Sequence, residues 1–440
     1  MEAKTRDRSL VGYFRSPALG NLLHRGAWGL ADQALLSLGT FVTLALIARA
    51  NTLEEFGLFS LAFAFINLEM AVSASVFSEP FAVISAFYDR SRYSALVSST
   101  YLMHLALGLL VALAIAIFAL VDVALGWGHA ELIILVAPAM LAWQLQDFTR
   151  QPLYVEGRVT AAFLNDVVSY GGQIGSVGLA SYFGVLSGSW ALGIVALSSG
   201  AAVIIGLLQL RRSISTTVSW QEVMEFRKEI WAFGRWVLGG TFLTSVSFYL
   251  QPFILAAFRG APAAGELRAM MTLMGPGRII IRGMSTAFTP MAAAAVKDEG
   301  KRGLDSLVMK IFQLAVPMMG TYCVLVSVRP SALVSFLFGE EYARSASWLL
   351  PLVALAFFAQ MIVIPWDVGL RALRVTNPVF RAGVQTFVAF WCFGVPAMYF
   401  LGLLGAGLVA IGVPTIVGFE LWRNYRKQTA AGGVAPAPAT

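Results

Sequence analysis

The sequence carries little charge for its length. Of its 440 residues 58% are hydrophobic and only 12% are charged, whereas a soluble domain carries roughly a quarter charged residues because its surface needs them. A surface this poor in charge cannot face water on all sides. The composition therefore excludes an ordinary soluble globular protein and indicates a membrane protein.

Residues suited to metal, redox or nucleotide chemistry are also scarce. The two cysteines, Cys323 and Cys392, lie in apolar segments and cannot build a disulfide framework. The three histidines, His24, His104 and His129, are scattered without metal-ligand spacing. No glycine-rich GxxxxGK phosphate loop occurs. We therefore expect no metal site, no cofactor and no nucleotide hydrolysis by that route.

Long apolar runs are what the chain has in abundance. They recur along the whole sequence, each with about 20 residues, enough to cross a bilayer core of roughly 30 Å. Their charged, glycine and proline breaks predict an all-α polytopic membrane protein with about twelve transmembrane helices. The predicted spans are residues 27–49, 56–82, 95–121, 131–150, 161–183, 190–210, 236–258, 267–293, 305–329, 345–366, 378–400 and 403–421.

Lysine and arginine are distributed unevenly between alternate loops. If the N-terminus is cytoplasmic, most of the 31 basic residues fall in inside segments, and the outer segments hold only Arg49, Arg259, Arg268, Arg329 and Arg344. This excess agrees with the positive-inside rule, and it accounts for the net charge of +7 without a nucleic-acid partner. Both termini are therefore expected in the cytoplasm.

The chain divides near its middle, where residues 219–235 mix bulky apolar and charged side chains at the spacing of an interfacial amphipathic helix. Matches in chain order, such as Gly39–Thr43 with Gly240–Thr244, indicate two repeats related by an axis along the membrane normal. The predicted parts are a basic cytoplasmic N-terminus at 1–26, six-helix bundles at 27–210 and 236–421, a linker with the interfacial helix at 211–235, and a disordered cytoplasmic tail at 422–440.

Ionisable side chains inside predicted spans are functional candidates, because each costs about 2.5–3.5 kcal/mol at a helix centre. Glu69 in the second span and Arg278 and Arg282 in the eighth lie near mid-membrane, at equivalent places in the two repeats. Five acidic residues lie nearer the cytoplasmic ends of their spans, where water or loop arginines can satisfy them: Asp32, Glu79, Asp147, Asp166 and Asp367.

Arg278 and Arg282 share one helix face, because they are four residues apart. They follow Gly275-Pro276-Gly277, which is expected to break or kink the helix. Broken helices at the midplane mark binding sites in many transporters. A Glu69–arginine salt bridge between the halves is the structural alternative, but one carboxylate cannot neutralise two arginines. We therefore predict an anion-binding role for the two arginines and name Glu69 and Asp32 as candidates for coupling to Na⁺ or H⁺.

Two stretches resemble a known family. In GLADQALLSLGTFVTLALIARANTLEEFGLFSLAFAF, Asp32-Gln33 leads into a helix that ends at Ala48-Arg49, and an acidic turn and Phe56-Gly57 follow. The second stretch is Phe338-Gly339-Glu340-Glu341-Tyr342, at the turn between predicted spans nine and ten. In these features the chain resembles the polysaccharide-exporter flippases for O-antigen and exopolysaccharide units. They belong to the multidrug/oligosaccharidyl-lipid/polysaccharide exporter (MOP) superfamily.

The resemblance implies a function as well as a fold. It implies a non-enzymatic flippase in the bacterial cytoplasmic (inner) membrane that moves a polyprenyl-diphosphate-linked oligosaccharide from the cytoplasmic to the outer leaflet. Helices one, two, seven and eight would line a cavity between the bundles, where Arg278 and Arg282, and Arg49 at the outer rim, would hold the anionic substrate. The membrane lipid, a glycan polymerase and export machinery would be its partners.

Three alternative functions remain at this point. A multidrug extruder of the same superfamily would have a similar fold but usually an acidic cavity. The mid-membrane arginines argue against this function, whereas the acidic residues Glu69 and Asp32 are compatible with it. A lipid-linked peptidoglycan-precursor flippase would usually have two more helices than this chain has room for. A membrane-embedded glycan polymerase or glycosyltransferase would need larger polar loops than the short ones predicted here.

Overall fold

The computed structural model describes residues 17–430 except 374 and 376, and the side chain of Arg282 lies outside the described part. The described chain is built from helices and contains no strand. The first half comprises α1 (Pro17–Ala50), α2 (Leu53–Ser73), α3 (Glu79–Ile84), α4 (Arg90–Leu125), α5 (Ala130–Val155), α6 (Val159–Asp166), α7 (Gly172–Tyr182) and α8 (Gly188–Leu210).

The second half follows residues 211–219, the longest segment between two consecutive described helices. Its helices are α9 (Trp220–Arg259), α10 (Ala261–Leu273), α11 (Gly275–Val328), α12 (Pro330–Phe338), α13 (Glu340–Ala346), α14 (Leu350–Ala372), α15 (Asn377–Ala389), α16 (Val395–Leu401) and α17 (Leu403–Ala430). Within α11, Gly300 has non-helical backbone angles (φ 62°), which divide it into two helical segments. Single π-helical turns join α2 to α3, α6 to α7 and α15 to α16: Ala74–Ser78, Val167–Gly171 and Phe390–Gly394.

The helices confirm the predicted all-α polytopic membrane fold. In the described residues nine helices are long and apolar enough to cross a membrane, or up to ten if the bent pair Trp220–Leu243 and Ser247–Arg259 forms one span. The predicted count of twelve and the orientation of the termini stay predictions. The predicted spans 161–183 and 267–293 are helical but do not belong to the long apolar set.

Three predicted boundaries fall inside helices. Residues 17–26, predicted as part of the N-terminal segment, belong to α1, and residues 422–430, predicted as a disordered tail, belong to α17. The predicted interfacial helix is the first part of α9, whose Ser219–Glu222 capping box fixes its start. Its buried apolar side chains pack against α3 and α4 in a cluster that contains Val223, Phe226, Ile230, Phe81 and Leu96.

The two halves meet through glycines where α2 and α10 begin. A Cβ atom on Gly57 would lie 2.1 Å from the carbonyl oxygen of Ala261, and one on Gly265 would lie 3.0 Å from the Gly57 nitrogen. Such close backbone approach requires residues without a side chain. Arg49 at the end of α1 also reaches the second half, where its Nη1 donates to the carbonyl oxygen of Phe336 at 2.6 Å.

At the other end of α2 the first half contacts α9. A Cβ atom on Gly234 would lie 2.6 Å from the carbonyl oxygen of Val76. The Ser75 hydroxyl, in the π-helical turn after α2, donates to the Thr241 hydroxyl at 2.8 Å. The described residues therefore join the halves at both ends of α2.

Polar side chains extend this second contact to the surface. Tyr88 donates a hydrogen bond to Glu229 of α9, and Arg92 forms an ion pair with Glu225. Burial and the bond to Glu229 raise the pKa of the Tyr88 hydroxyl, so the hydroxyl keeps its proton and remains the donor. Both contacts are solvent-exposed, which limits what they contribute to stability.

Candidate substrate and coupling sites

The predicted eighth span is interrupted immediately before Gly275. Helix α10 ends at Leu273, and α11 begins at Gly275 with a proline in its first turn, where the missing N–H of proline is tolerated. Carbonyl groups freed at the break are satisfied by other helices, because Ser37 of α1 donates to the Gly275 oxygen at 3.2 Å and Tyr322 donates to the Leu273 oxygen. Irregular backbone at this depth is thereby satisfied within the protein.

Two arginines flank this break. Arg278 lies in the first turn of α11, with its guanidinium carbon 5.7 Å from the centre of the Phe357 ring on α14. Arg268 lies on α10, and its guanidinium carbon is 4.4 Å from the centre of the Phe63 ring on α2, in the other half. The two arginines are ten residues apart in the sequence and lie on opposite sides of the break.

Arg268 corrects an expectation from the sequence. It was predicted to lie in an outer segment, but it is in α10, where its side chain reaches the interface between the halves. Its Nε atom is buried and has no hydrogen-bond partner among the described residues. No described carboxylate lies within ion-pair distance of it. A partly buried arginine whose Nε donor is unused is suited to an anionic ligand.

The remaining arginines of the prediction are placed as follows. Arg282 follows Arg278 by one helical turn, and its side chain lies outside the described residues. Arg49 is exposed at the end of α1, where it caps a carbonyl group of α12. Neither arrangement tests the predicted contact with substrate, and both stay predictions.

Glu69 is buried on α2, with 7% of its surface exposed. Neither of its carboxylate oxygens has a hydrogen-bond partner among the described residues. Ser73 lies one turn further along the same face and contacts His104 and Gln144 of α4 and α5. Glu69 therefore shares a face with the interior of the first half, and the alternative of a salt bridge between Glu69 and an arginine of the second half stays open, since the side chain of Arg282 lies outside the described residues.

Asp32, the other coupling candidate, belongs to a buried ion cluster around Arg150 of α5. Arg150 is 6% exposed, and its Nη2 lies 2.8 Å from Asp32 Oδ2 of α1. Its Nε lies 3.0 Å from Asp166 Oδ2 of α6, and its Nη1 lies 3.2 Å from Asp147 Oδ1. The hydroxyl of Tyr154 accepts from Arg150 at 3.0 Å and donates to Asp32.

This cluster ties three helices of the first half together. The expectation that Asp32, Asp147 and Asp166 pair with an arginine agrees with these distances, although Arg150 itself was assigned to a loop. Gln146 adds a hydrogen bond to Asp166 at 2.6 Å. Asp32 thus has a guanidinium partner inside one half, and its predicted role in ion coupling stays a prediction.

In the part of the chain that the structure describes, no group of three or more His, Cys, Asp or Glu side chains is arranged to hold a metal ion. The region at the helix break presents charged side chains and freed backbone groups. The described helices are those of a multi-pass membrane protein.

The chain matches a known protein family. Residues 13–347 match the family described as polysaccharide biosynthesis protein, and the chain belongs to that family. The resemblance noted in the sequence is thereby confirmed. No curated protein matches the sequence.

Solved structures share the fold at low sequence identity. The lipid II flippase MurJ, in an inward closed conformation, has a TM-score of 0.66 and 13% identity, covering 90% of this chain and 87% of its own. A MOP superfamily transporter from Pyrococcus furiosus has a TM-score of 0.65 and 13% identity, covering 98% and 99%. An outward-facing multidrug resistance transporter of the MATE family has a TM-score of 0.62 and 13% identity, covering 93% and 96%. Each is described as a transporter or flippase, and the likeness establishes the fold.

Proposed function

We propose that the protein is a flippase that moves a polyprenyl-diphosphate-linked oligosaccharide from the cytoplasmic to the outer leaflet of a bacterial inner membrane. The observation that carries this proposal is that Arg268 and Arg278 flank the helix break, with Arg268 reaching Phe63 of the other half. Two positive charges on either side of one helix break favour a ligand that carries negative charge. A diphosphate has the charge and the oxygen spacing to accept from both guanidinium groups.

The proposed mechanism is alternating access between the two halves. The diphosphate loses water as it enters, and guanidinium N–H groups replace that water with charge-assisted hydrogen bonds. The glycan passes between the halves while the prenyl chain stays in the bilayer through a lateral opening. Contacts that must open in turn are the Gly57–Gly265 contact at one end of α2 and the Ser75–Thr241 contact at the other.

Without a nucleotide site, an ion gradient is the proposed energy source. Glu69 is the better of the two predicted coupling residues, because Asp32 already has Arg150 as its partner. Protonation of Glu69 would remove a buried, uncompensated charge and so favour one arrangement of α2. Transport that ignores both a pH gradient and a Na⁺ gradient in proteoliposomes would contradict this coupling.

Reconstituted flipping of a lipid-linked oligosaccharide tests the proposed function. We expect the purified protein to expose the glycan at the opposite leaflet, and Arg278→Ala and Arg282→Ala to abolish this, while the lysine variants keep partial activity because they retain charge but lose the bidentate fork. Wild-type flipping by both alanine variants at matched protein levels would end the proposal. Export of a cationic drug without glycan flipping would instead support the multidrug alternative.

A further inference from the structure

Ser73, His104 and Gln144 form a buried polar cluster inside the first half. The Ser73 hydroxyl lies 3.0 Å from Nδ1 of His104 and accepts from Nε2 of Gln144 at 2.8 Å. His104 is 2% exposed, and its ring stacks on Phe148 with the centroids 4.4 Å apart. Polar groups buried in membrane segments are costly, and chains of Asp, Glu and His serve as proton relays in pumps and transporters.

The cluster continues toward the side predicted to be cytoplasmic. The second ring nitrogen of His104, Nε2, lies 3.5 Å from the Ser78 hydroxyl. Ser78 and Asp147 line the same narrow crevice as Ser73 and His104. The Asp147 side chain is 30% exposed. Asp147 is therefore a partly exposed titratable side chain that lines the same crevice as the buried groups.

Glu69 lies at the other end of the series. It is one turn from Ser73 on the same face of α2, a spacing at which Cβ atoms are about 5–6 Å apart. Both of its oxygens are buried and have no hydrogen-bond partner among the described residues. Rotation of the Glu69 side chain toward Ser73 would complete a path of side chains from Asp147.

We propose that Ser78, His104 and Ser73 carry protons between Asp147 and Glu69. The partly exposed Asp147 carboxylate takes a proton from water and passes it through the Ser78 hydroxyl to Nε2 of His104, and the Nδ1 proton leaves to Ser73, whose own proton passes to the Glu69 carboxylate. One O–H bond forms at Glu69 for the one broken at Asp147, so no oxidant or reductant is required. Imidazole suits this step because one ring nitrogen accepts while the other donates.

The relay deepens the proposed function, since it rests on Glu69 as the coupling residue and names the proton as the coupled ion. Helix α2 contacts α10 through Gly57 and α9 through Ser75, so a change in charge at Glu69 acts on the helix that joins the halves. The charged groups on the surrounding elements are Glu79 beyond Ser78, Asp147 and Arg150 on α5, Asp32 on α1, Arg268 on α10 and Glu229 on α9.

Time-resolved infrared spectroscopy after a pH jump tests the relay on the full-length protein in lipid nanodiscs. The protonated carboxyl band of Glu69 is identified by its loss in Glu69→Gln. We expect His104→Gln and Ser73→Ala to slow the appearance of this band by roughly tenfold or more without moving the pH at which it is half-formed. His129→Gln is the matched control, because this histidine lies in the loop before α5, and it should keep the wild-type rate.

Two results would overturn the relay: an unchanged rate in both His104→Gln and Ser73→Ala, or the absence of any Glu69 band between acidic and alkaline pH. A purely structural role of His104 would shift the half-formation pH together with the rate, which also counts against the relay. The infrared signal requires no substrate. Wild-type protein that shows the relay but flips no lipid-linked oligosaccharide would therefore overturn the proposed function alone.

Discussion

The two halves of the molecule treat buried charge in opposite ways. In the first half, Arg150 is surrounded by Asp32, Asp147 and Asp166, and all four side chains belong to one bundle. In the second half, Arg268 lies over a phenylalanine of the other half, and no described carboxylate is within ion-pair distance. One site satisfies its charges internally, whereas the other leaves positive charge where the halves meet.

The difference separates charges that hold helices together from charges that are available to bind. A buried ion cluster that is complete within one bundle moves as a unit and has no need of a ligand. A guanidinium with an unused, buried donor at an interface gains from an anion that arrives and leaves. Substitutions in the first cluster should therefore change stability, and substitutions at the second should change transport.

The largest expected effect on stability comes from Arg150→Met, which leaves the buried carboxylates of Asp32 and Asp166, and the partly exposed one of Asp147, without their cation. Breaking a buried pair in this way costs about 3–5 kcal/mol, so we expect a large fall in the unfolding temperature in detergent. Arg211→Met is the matched control, since Arg211 is exposed at the end of α8. Unfolding temperatures that are equal for the two variants would contradict the structural role of the cluster.

Arg268→Ala should affect transport and not stability. We expect the initial flipping rate to fall by about 30-fold or more, since truncating one partner of a buried charged contact costs about 2 kcal/mol or more, and Arg268→Lys to retain part of the activity. Arg344→Ala, at an exposed arginine, should flip at the wild-type rate. Adding Glu69→Gln should not rescue Arg268→Ala, and rescue would show that Arg268 balances the charge of Glu69 and does not bind the substrate.

Gly57→Ala should disturb the contact between the halves by a smaller amount. The new methyl group would meet the Ala261 carbonyl oxygen at 2.1 Å, so α2 and α10 must separate, at a cost of about 1–3 kcal/mol for overpacking. Gly193→Ala is the control, because a Cβ atom there meets nothing within 4 Å. Cysteine cross-linking between the starts of α2 and α10 reports the separation, and equal yields in both variants would contradict it.

The smallest expected effect is at the exposed end of α9. Arg92→Ala removes the ion pair with Glu225, and both side chains are at least half exposed. Such pairs contribute about 0.2–1 kcal/mol, so the unfolding temperature of Arg92→Ala should differ little from that of the wild type. At high salt the unfolding temperatures of Arg92→Ala and Glu225→Ala should become similar. A loss as large as that for Arg150→Met would show that this contact is central to the joining of the halves.

The membrane fold was predictable because composition and apolar run length determine it directly. The helix ends were not, since charged residues such as Glu222 and Arg227 continue a helix as readily as they end one when capping and packing favour it. The failure at Arg268 has a related cause. Its position near a predicted span end indicated a loop, but only the packing of α10 against α2 shows that the side chain reaches Phe63.

The candidate sites were likewise predictable from the sequence only in part. The break before Arg278 follows from Gly275-Pro276-Gly277 alone, because proline and glycine have local effects on the backbone. The sequence predicts the depth of Glu69 in the membrane, whereas it does not predict the direction of its side chain. A repeat offset reports the level of a residue in the membrane, and only the contacts of Ser73 with His104 and Gln144 show which way that face of α2 points.

Binding of polyprenyl diphosphate and polyprenyl monophosphate to the protein in nanodiscs tests the central claim most directly. Two guanidinium groups beside the helix break should favour the diphosphate over the monophosphate, and Arg268→Ala and Arg278→Ala should each remove that preference, while Arg150→Met, where it folds, retains it. Equal affinity of the wild-type protein for the two lipids, or a preference that survives removal of both arginines, would contradict the account.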